Sequence, residues 1–398
     1  MRRTLCLAAC FAAAIVAMSW QTESRAANSG NAKGVASDSR KPDARATNTW
    51  DQKAAAAYLD QRAGWWMEWP RAARDHGTFC VSCHTAVPYA MARPLLRGPL
   101  AEQGPSANER KLLDNVTKRV RLWKEMAPFY SDADRGVYKS VESRGTESVL
   151  NALILASNDA GSTEGGAPSG YLSGDTLTAF ENMWAEQETT GDDKGAWRWL
   201  RFKNEPWEAD DSGYYGAALA AIAVGTAPEH YRARPEIQNN LKLLREYLNR
   251  ESAGQTSINR AVLLWASAKV PGLLEPERQK AVINELLSKQ QADGGWSLAS
   301  LVGDWKRHDG TAQEAESDGY ATGLITFALR QAGTPRENVQ LKRGLAWLTG
   351  HQNKTRGFWL AYSLNKNDAN HISPDTALFM KDAATAYAVL ALSDAERR

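Results

Sequence analysis

The chain has 398 residues, of which 43% are hydrophobic and 24% charged, and its formal net charge is +2. This composition is globular, which excludes a disordered or fibrous chain, and the balanced charge excludes the basic footprint of a protein that wraps nucleic acid. Fifteen Trp predict a large core or an aromatic-lined cavity, since one aromatic side chain buries roughly 150–250 Å², whereas four Cys are too few for a disulfide scaffold.

Arg2 and Arg3 precede an apolar run from Leu5 to Met18, and Ser24-Arg25-Ala26 places small residues at both ends of an A-x-A-like cleavage site. Residues 1–26 therefore read as a secretory signal peptide, and the mature protein is expected to be periplasmic or secreted. The apolar run falls short of the roughly 18–20 residues of a bilayer span. An uncleaved anchor and lipidation at Cys10 are the alternatives, and no transmembrane helix is expected in the mature chain. Cleavage removes Cys6 and Cys10 and leaves Cys80 and Cys83. Residues 27–48 are small, polar and without hydrophobic period, as in a flexible linker, so folded sequence is expected to begin near Trp50.

Within residues 49–107 the order Cys80-Val81-Ser82-Cys83-His84 is C-x-x-C-H, the attachment pattern of c-type haem. The spacing suits the chemistry: two thiols three residues apart reach two neighbouring vinyl groups, and the adjacent imidazole lies under the iron as proximal ligand. A local disulfide and a metal site are the alternatives, although a structural zinc site needs four ligands and no second Cys pair completes one. The sixth iron ligand stays open. Met126, in a stretch read as helical, is preferred over Met91 and His76, and a five-coordinate iron is allowed.

From about residue 108 to 398 apolar residues recur with helical period. Amphipathic helices are expected near 108–125, 174–187, 235–250, 276–291 and 337–350. Between them come helices rich in Ala, Gly and Leu, with starts at Gly145, Asp211, Thr256, Asp318 and Asp382. The first kind needs one solvated face and the second can be buried on most sides, which predicts an outer ring around an inner one. Five pairs are visible, and the segment from Trp50 through Trp65-Trp66-Met67-Glu68-Trp69 supplies either a sixth element or packing for the haem.

A second signature sits at the ends of the outer helices. Gln290 to Gly294-Gly295-Trp296 fits Q-x3-G-x-W, Gln352 to Gly357-Phe358-Trp359 has one residue inserted, and Gln187 to Gly195-Ala196-Trp197 is longer. These segments resemble the QW motifs of the squalene–hopene cyclase and protein prenyltransferase superfamily, whose members are α/α toroids. The resemblance covers residues 108–398 and implies an all-α toroid preceded by a short haem-binding helical segment. It also implies a role for Glu208-Ala209-Asp210-Asp211, which stands where the cyclases carry D-x-D-D: Asp210 would be the proton donor beside Asp211, with Glu in place of the first Asp. The alternative is that Asp211, Asp318 and Asp382 begin helices as caps. The prenyltransferase zinc site needs a Cys, and residues 108–398 hold none.

Glu147, Asp210, Asp211, Tyr214, Tyr215, Asp318, Tyr320 and Tyr387 are expected around one mouth, an arrangement that would also suit a glycosidase with paired acids. His308 and His371 read as surface features on loops. The sequence thus predicts an exported monohaem c-type protein for electron transfer or redox sensing, with an unidentified redox partner, no nucleic acid, and a toroid that binds a ligand or partner. The alternative is an enzyme on an apolar, isoprenoid-like substrate with Asp210 as acid.

Overall fold

Helix starts in this chain are marked by side chains that take up the free N–H groups of a first turn. Asp51 accepts from Ala54 N before α1 (Gln52–Glu68), and Ser106 and Glu109 form a reciprocal capping box at α3 (Ala107–Arg121). Ser173 caps α6 (Gly174–Ala185), Thr256 caps α10 (Ser257–Lys269), Asp318 caps α12 (Gly319–Gln331) and Asn338 caps α13 (Val339–Gly350). The remaining longer helices are α2 (Ala86–Ala92), α5 (Lys139–Gly161), α7 (Ser212–Thr226), α9 (Gln238–Glu251), α11 (Pro276–Ser288) and α14 (Pro374–Glu396). Two single-turn helices, α4 (Asp132–Arg135) and α8 (Glu229–Arg232), lie in connections. The computed structural model describes residues 49–126, 130–136, 138–161, 163–164, 167–168, 170–365 and 374–396. It is predominantly α-helical, with two two-stranded hairpins among the described residues.

Six helices make up the core. Their contacts run in cyclic order, α2 to α5, α7, α10, α12, α14 and back to α2. Composition explains why they are central: α7 reads SGYYGAALAAIAVGT and buries every residue from Tyr214 to Val224, a sequence with no polar face to give to water. The more polar helices flank them, with α1 on α2 and α14, α3 on α2 and α5, α6 on α5, α9 on α7, α11 on α10, and α13 on α12 and α14. The segment from Trp50 supplies both a flanking helix, α1, and a core helix, α2.

Two expected starts differ. Gly145 lies inside α5, which begins at Lys139, because the small residue is needed for close packing: a Cβ there would stand 2.1 Å from the Arg198 carbonyl oxygen. Asp382 lies inside α14, which begins at Pro374, and its carboxylate is committed to a distant arginine. His371 lies outside the described residues.

The Gln, Gly and Trp of the repeated signature perform three separate tasks. Each Trp indole donates back into the flanking helix before it, Trp197 to Met183 O (2.6 Å), Trp296 to Leu286 O (2.7 Å) and Trp359 to Leu348 O (2.7 Å). Each Gln amide donates forward, Gln187 to Asn240 O (3.1 Å), Gln290 to Gln340 O (2.6 Å) and Gln352 to Asp51 O (2.9 Å). The glycine lets the turn touch the next helix. At Gly357 (φ +81°) a Cβ would stand 1.9 Å from Ala54 O, and at Gly195 (φ +101°) 2.1 Å from Leu243 O.

The Gln352 link joins the C-terminal part of the chain to its first helix. Its Oε1 also accepts from Asp51 N (2.6 Å), while Trp50 Nε1 donates to Glu396 Oε1 (2.8 Å) nearby. Gln352→Ala leaves these backbone groups without their partners and is expected to lower the unfolding free energy by about 1–3 kcal/mol in a urea titration. An unchanged midpoint would show that water replaces the amide at no cost.

Candidate functional site

The C-x-x-C-H segment is delivered by a hairpin. Strand β1 (Ala73–Arg74) pairs antiparallel with β2 (Thr78–Phe79), and the turn between them is made by His76 (φ 53°) and Gly77 (φ 64°). Asn115 on α3 clamps Phe79 at both backbone groups, N to Oδ1 (2.8 Å) and Nδ2 to O (3.0 Å). Cys80 follows at once, its N–H bonded to Ala72 O (2.7 Å) and its carbonyl receiving the Trp66 indole (2.7 Å). Ser82 Oγ then accepts from Thr85 N (3.3 Å) and Ala86 N (3.0 Å), which turns the chain into α2.

Both cysteines are free thiols and buried, Cys83 to 1% exposure. Burial pushes both thiols up, and for Cys83 the carboxyl of Glu208 adds to the rise, so neither is a thiolate at neutral pH. His84 is enclosed by aromatic rings: Phe379 stacks on it at 3.8 Å between centroids, Trp66 meets it edge-on at 4.9 Å, and Trp207 stands at 5.5 Å. Burial, with the nearby charge of Arg62, lowers its pKa to about 3 and keeps the ring neutral.

A chain of hydrogen bonds behind His84 suits a proton on Nδ1. Asp382 accepts from Arg62 Nε (2.7 Å) and Nη2 (3.1 Å), from Tyr58 Oη (3.1 Å) and from Thr85 Oγ1 (2.8 Å). Burial raises the Asp382 carboxyl and Arg62 opposes it; four donors and no acceptor face the group, which is the environment of an ionised carboxylate. Thr85 therefore uses its one hydroxyl proton on Asp382. The contact of Thr85 Oγ1 with His84 Nδ1 (2.9 Å) must then be donated by the imidazole, which leaves the lone pair on Nε2. Nε2 has no hydrogen-bond partner among the described residues.

Beside this lies a cavity of about 360 Å³ lined by Trp66, Trp69, Trp207 and Phe379, with Arg71, Arg135 and Lys203 contributing positive charge and Glu208 an acid pushed up to about 7 by burial. The methionine at its wall is Met380. Met126 does not line it. That residue sits in a turn beyond the end of α3, packed with Trp123, Leu122 and Tyr130, its sulfur 3.9 Å from Arg119 Nη1. Met91 and His76 are likewise not among the lining residues.

The residues expected around one mouth separate into groups. Tyr215 and Tyr387 influence each other's phenol, Tyr320 meets Tyr387 edge-on at 5.4 Å, and the Cys83 thiol adds to the rise of all three phenols, which burial drives most strongly. Tyr214 points the other way and donates to Leu248 O (2.8 Å) on α9. Glu147 is paired with buried Arg119, which also reaches Thr78 Oγ1. Asp318 accepts from the backbone N–H groups of Tyr320, Ala321 and Leu298, a capping role.

Asp210 and Asp211 line a second cavity of about 340 Å³, between the starts of α7 and α10 and the 302–305 loop, together with Glu205 and Asp304. Asp210 is exposed to water. The buried acid of this set is Glu205, raised to about 7, first by desolvation and further by Asp211 and Asp210. Sequence reasoning missed Glu205, Asp382 as the anchor of His84, and the aromatic cover from Trp207 and Phe379. A carboxylate followed by Pro and flanked by Trp carries no recognisable signal, and the others depend on contacts between distant segments.

No protein-family model matches the chain, and no curated protein matches it. No helix among the described residues is long and apolar enough to cross a membrane, and no group of three or more His, Cys, Asp or Glu among them is placed to hold a metal ion.

Two substitutions test these electrostatics. Asp382→Ala strands the buried Arg62 guanidinium and is expected to cost about 3–5 kcal/mol of stability by denaturant unfolding; a cost near zero would mean that Arg62 escapes to water. For Glu205 the folded pKa of about 7 exceeds the ordinary 4.5, so the folded chain binds more protons between these values. Its contribution is fully present below pH 4.5 and is lost as pH rises through 7. The melting temperature of the native chain should therefore fall further between about pH 5 and pH 8 than that of Glu205→Gln. Parallel curves would refute this.

Proposed function

We propose that this chain is an exported monohaem c-type protein for electron transfer or redox sensing, in which Cys80, Cys83 and His84 hold the haem. We further propose that its helices form a squalene-cyclase-like α/α toroid that serves as a scaffold for a ligand or redox partner. The observation that carries the reading is the C-x-x-C-H segment itself, with its neutral imidazole held through Nδ1 against Thr85 and the Asp382 carboxyl behind it. A metal-ligating His is commonly fixed through its other nitrogen in this way, with a carboxylate behind it.

The donor set fits the group. Two free thiols at the required spacing flank the imidazole, and the Trp66, Phe379 and Trp207 rings keep water from it. The neighbouring cavity shares Trp66, Trp207 and Phe379 with the surroundings of His84, while Cys80, Cys83 and His84 themselves do not line it. When bound, a c-type haem supplies a one-electron iron couple. The chain's own contribution would be to keep the imidazole neutral, to exclude water with the indoles, and to supply positive charge nearby through Arg71, Arg135 and Lys203.

The toroid is supported by the cyclic order of core-helix contacts and by the Gln links from one flanking helix to the next. Export is supported by the basic, apolar and small-residue order of residues 1–26, and it suits a group attached outside the cytoplasm.

Production in a host with the c-type maturation machinery should yield a chain that retains haem through a denaturing gel and shows Soret and α bands. Replacing Cys80 and Cys83 together by Ser should abolish that retention. A colourless protein with two free or mutually bonded thiols would reject the reading.

A further inference from the structure

We propose that the cavity between the starts of α7 and α10 and the 302–305 loop binds an organic cation, a protonated amine carried on an apolar body. This goes beyond the haem reading and does not depend on it. The cavity measures about 340 Å³, which is the size of a small-molecule site, roughly 300–1,000 Å³. Its walls combine apolar surface from Ile258, Val302 and Leu364 with four carboxyl groups, Glu205, Asp210, Asp211 and Asp304, and no Lys, Arg or His lines it.

The carboxyl groups are short of donors. Asp211 receives Asn259 Nδ2 (3.1 Å) and a backbone N–H. Asp210 and Asp304 are exposed, so only Glu205 is a buried acid of this set. Glu205 is the independent sign of a missing ligand: the residue is 5% exposed, and its Oε2 is buried with no hydrogen-bond partner. Its backbone is held in place by Asn365, whose Oδ1 accepts from Glu205 N (2.9 Å) and whose Nδ2 donates to Glu205 O (3.1 Å). An acid fixed in that position and left unsatisfied is costly unless something donates to it.

The chemistry of the wall selects the donor. A carboxylate offers about four acceptor sites and no proton, so the site favours a ligand rich in N–H and positive charge. The acids do not converge as a metal site would, since no group of three or more His, Cys, Asp or Glu among the described residues is placed to hold an ion. Spread carboxylates suit an ammonium group on an organic frame. Trp305 adds an indole fixed by its bond to Leu364 O (3.0 Å), and indole is the strongest aromatic partner of a cation. A neutral sugar would need donors from the wall, and only Asn259 and Thr256 supply uncharged ones.

The test is calorimetric titration of the full mature chain with hexylammonium chloride and with hexanol, its neutral counterpart, at about pH 8, where Glu205 is ionised. Hexylammonium is expected to bind about tenfold or more tightly than hexanol. Glu205→Gln should erase most of that preference and leave hexanol unchanged. Asp304→Asn, on an exposed loop, should weaken hexylammonium several-fold, and it decides the matter should Glu205→Gln fail to fold. Equal affinity for the two probes, indifference of hexylammonium to both substitutions, or tighter binding of maltose than of hexylammonium would each overturn the proposal. Since haem retention on a denaturing gel is read separately, failure here leaves the haem reading standing, and a colourless chain leaves this one testable.

Discussion

The ion pair between Arg62 and Asp382 organises the molecule. It joins α1 to α14 across 320 residues of sequence, with both side chains buried, and the same carboxylate receives Thr85 just before α2. Three helices that the chain makes at opposite ends thus meet on one charge. Burying a guanidinium and a carboxylate is expensive, and hydrophobic replacements are often as stable. What the pair supplies is direction. An apolar contact would hold α1 and α14 together without fixing the Thr85 hydroxyl, and without that hydroxyl the tautomer of His84 is not determined.

The cost of this arrangement is lowered by its surroundings. Asp382 has donors at both oxygens and Arg62 adds a cation–π contact with Trp65, 4.3 Å from guanidinium carbon to ring centroid. Trp65 also stacks on Trp69 at 5.1 Å, and the group continues through Trp66 to Phe379. The aromatic cluster of α1 therefore serves two neighbours. One end screens the buried charge and the other encloses the imidazole, so the tryptophan abundance read from composition divides between this cover and the helix-end links.

Local pattern made much of the fold legible. Periodicity placed α6, α9, α11 and α13 within a few residues of their observed ranges, and Thr256 and Asp318 begin α10 and α12 as caps. The Gln and Trp of each repeat do tie helix ends to neighbours, as hydrogen bonding and packing would require. What stayed hidden depends on partners far away in sequence. Asp382 in an Ala-rich run looks like a helix start, and only Arg62 explains it as an interior residue. C-x-x-C-H was legible as a motif because its chemistry is set by spacing. The fixing of its histidine was not, because Thr85 is adjacent while the carboxylate behind it is 297 positions on.

Burial also isolates the cysteine pair. Cys83 is 1% exposed, its thiol is held protonated, and Tyr215, Tyr320 and Tyr387 crowd it from α7, α12 and α14. A buried, protonated sulfur in that position is a poor nucleophile in the closed fold. On the haem proposal, thioethers to Cys80 and Cys83 would have to form before α14 closes on α2. The bond between Arg62 and Asp382 needs the C-terminal helix, so this closure rests on the part of the chain made last. The closure that protects the imidazole from water would, on the haem proposal, make attachment a step of folding.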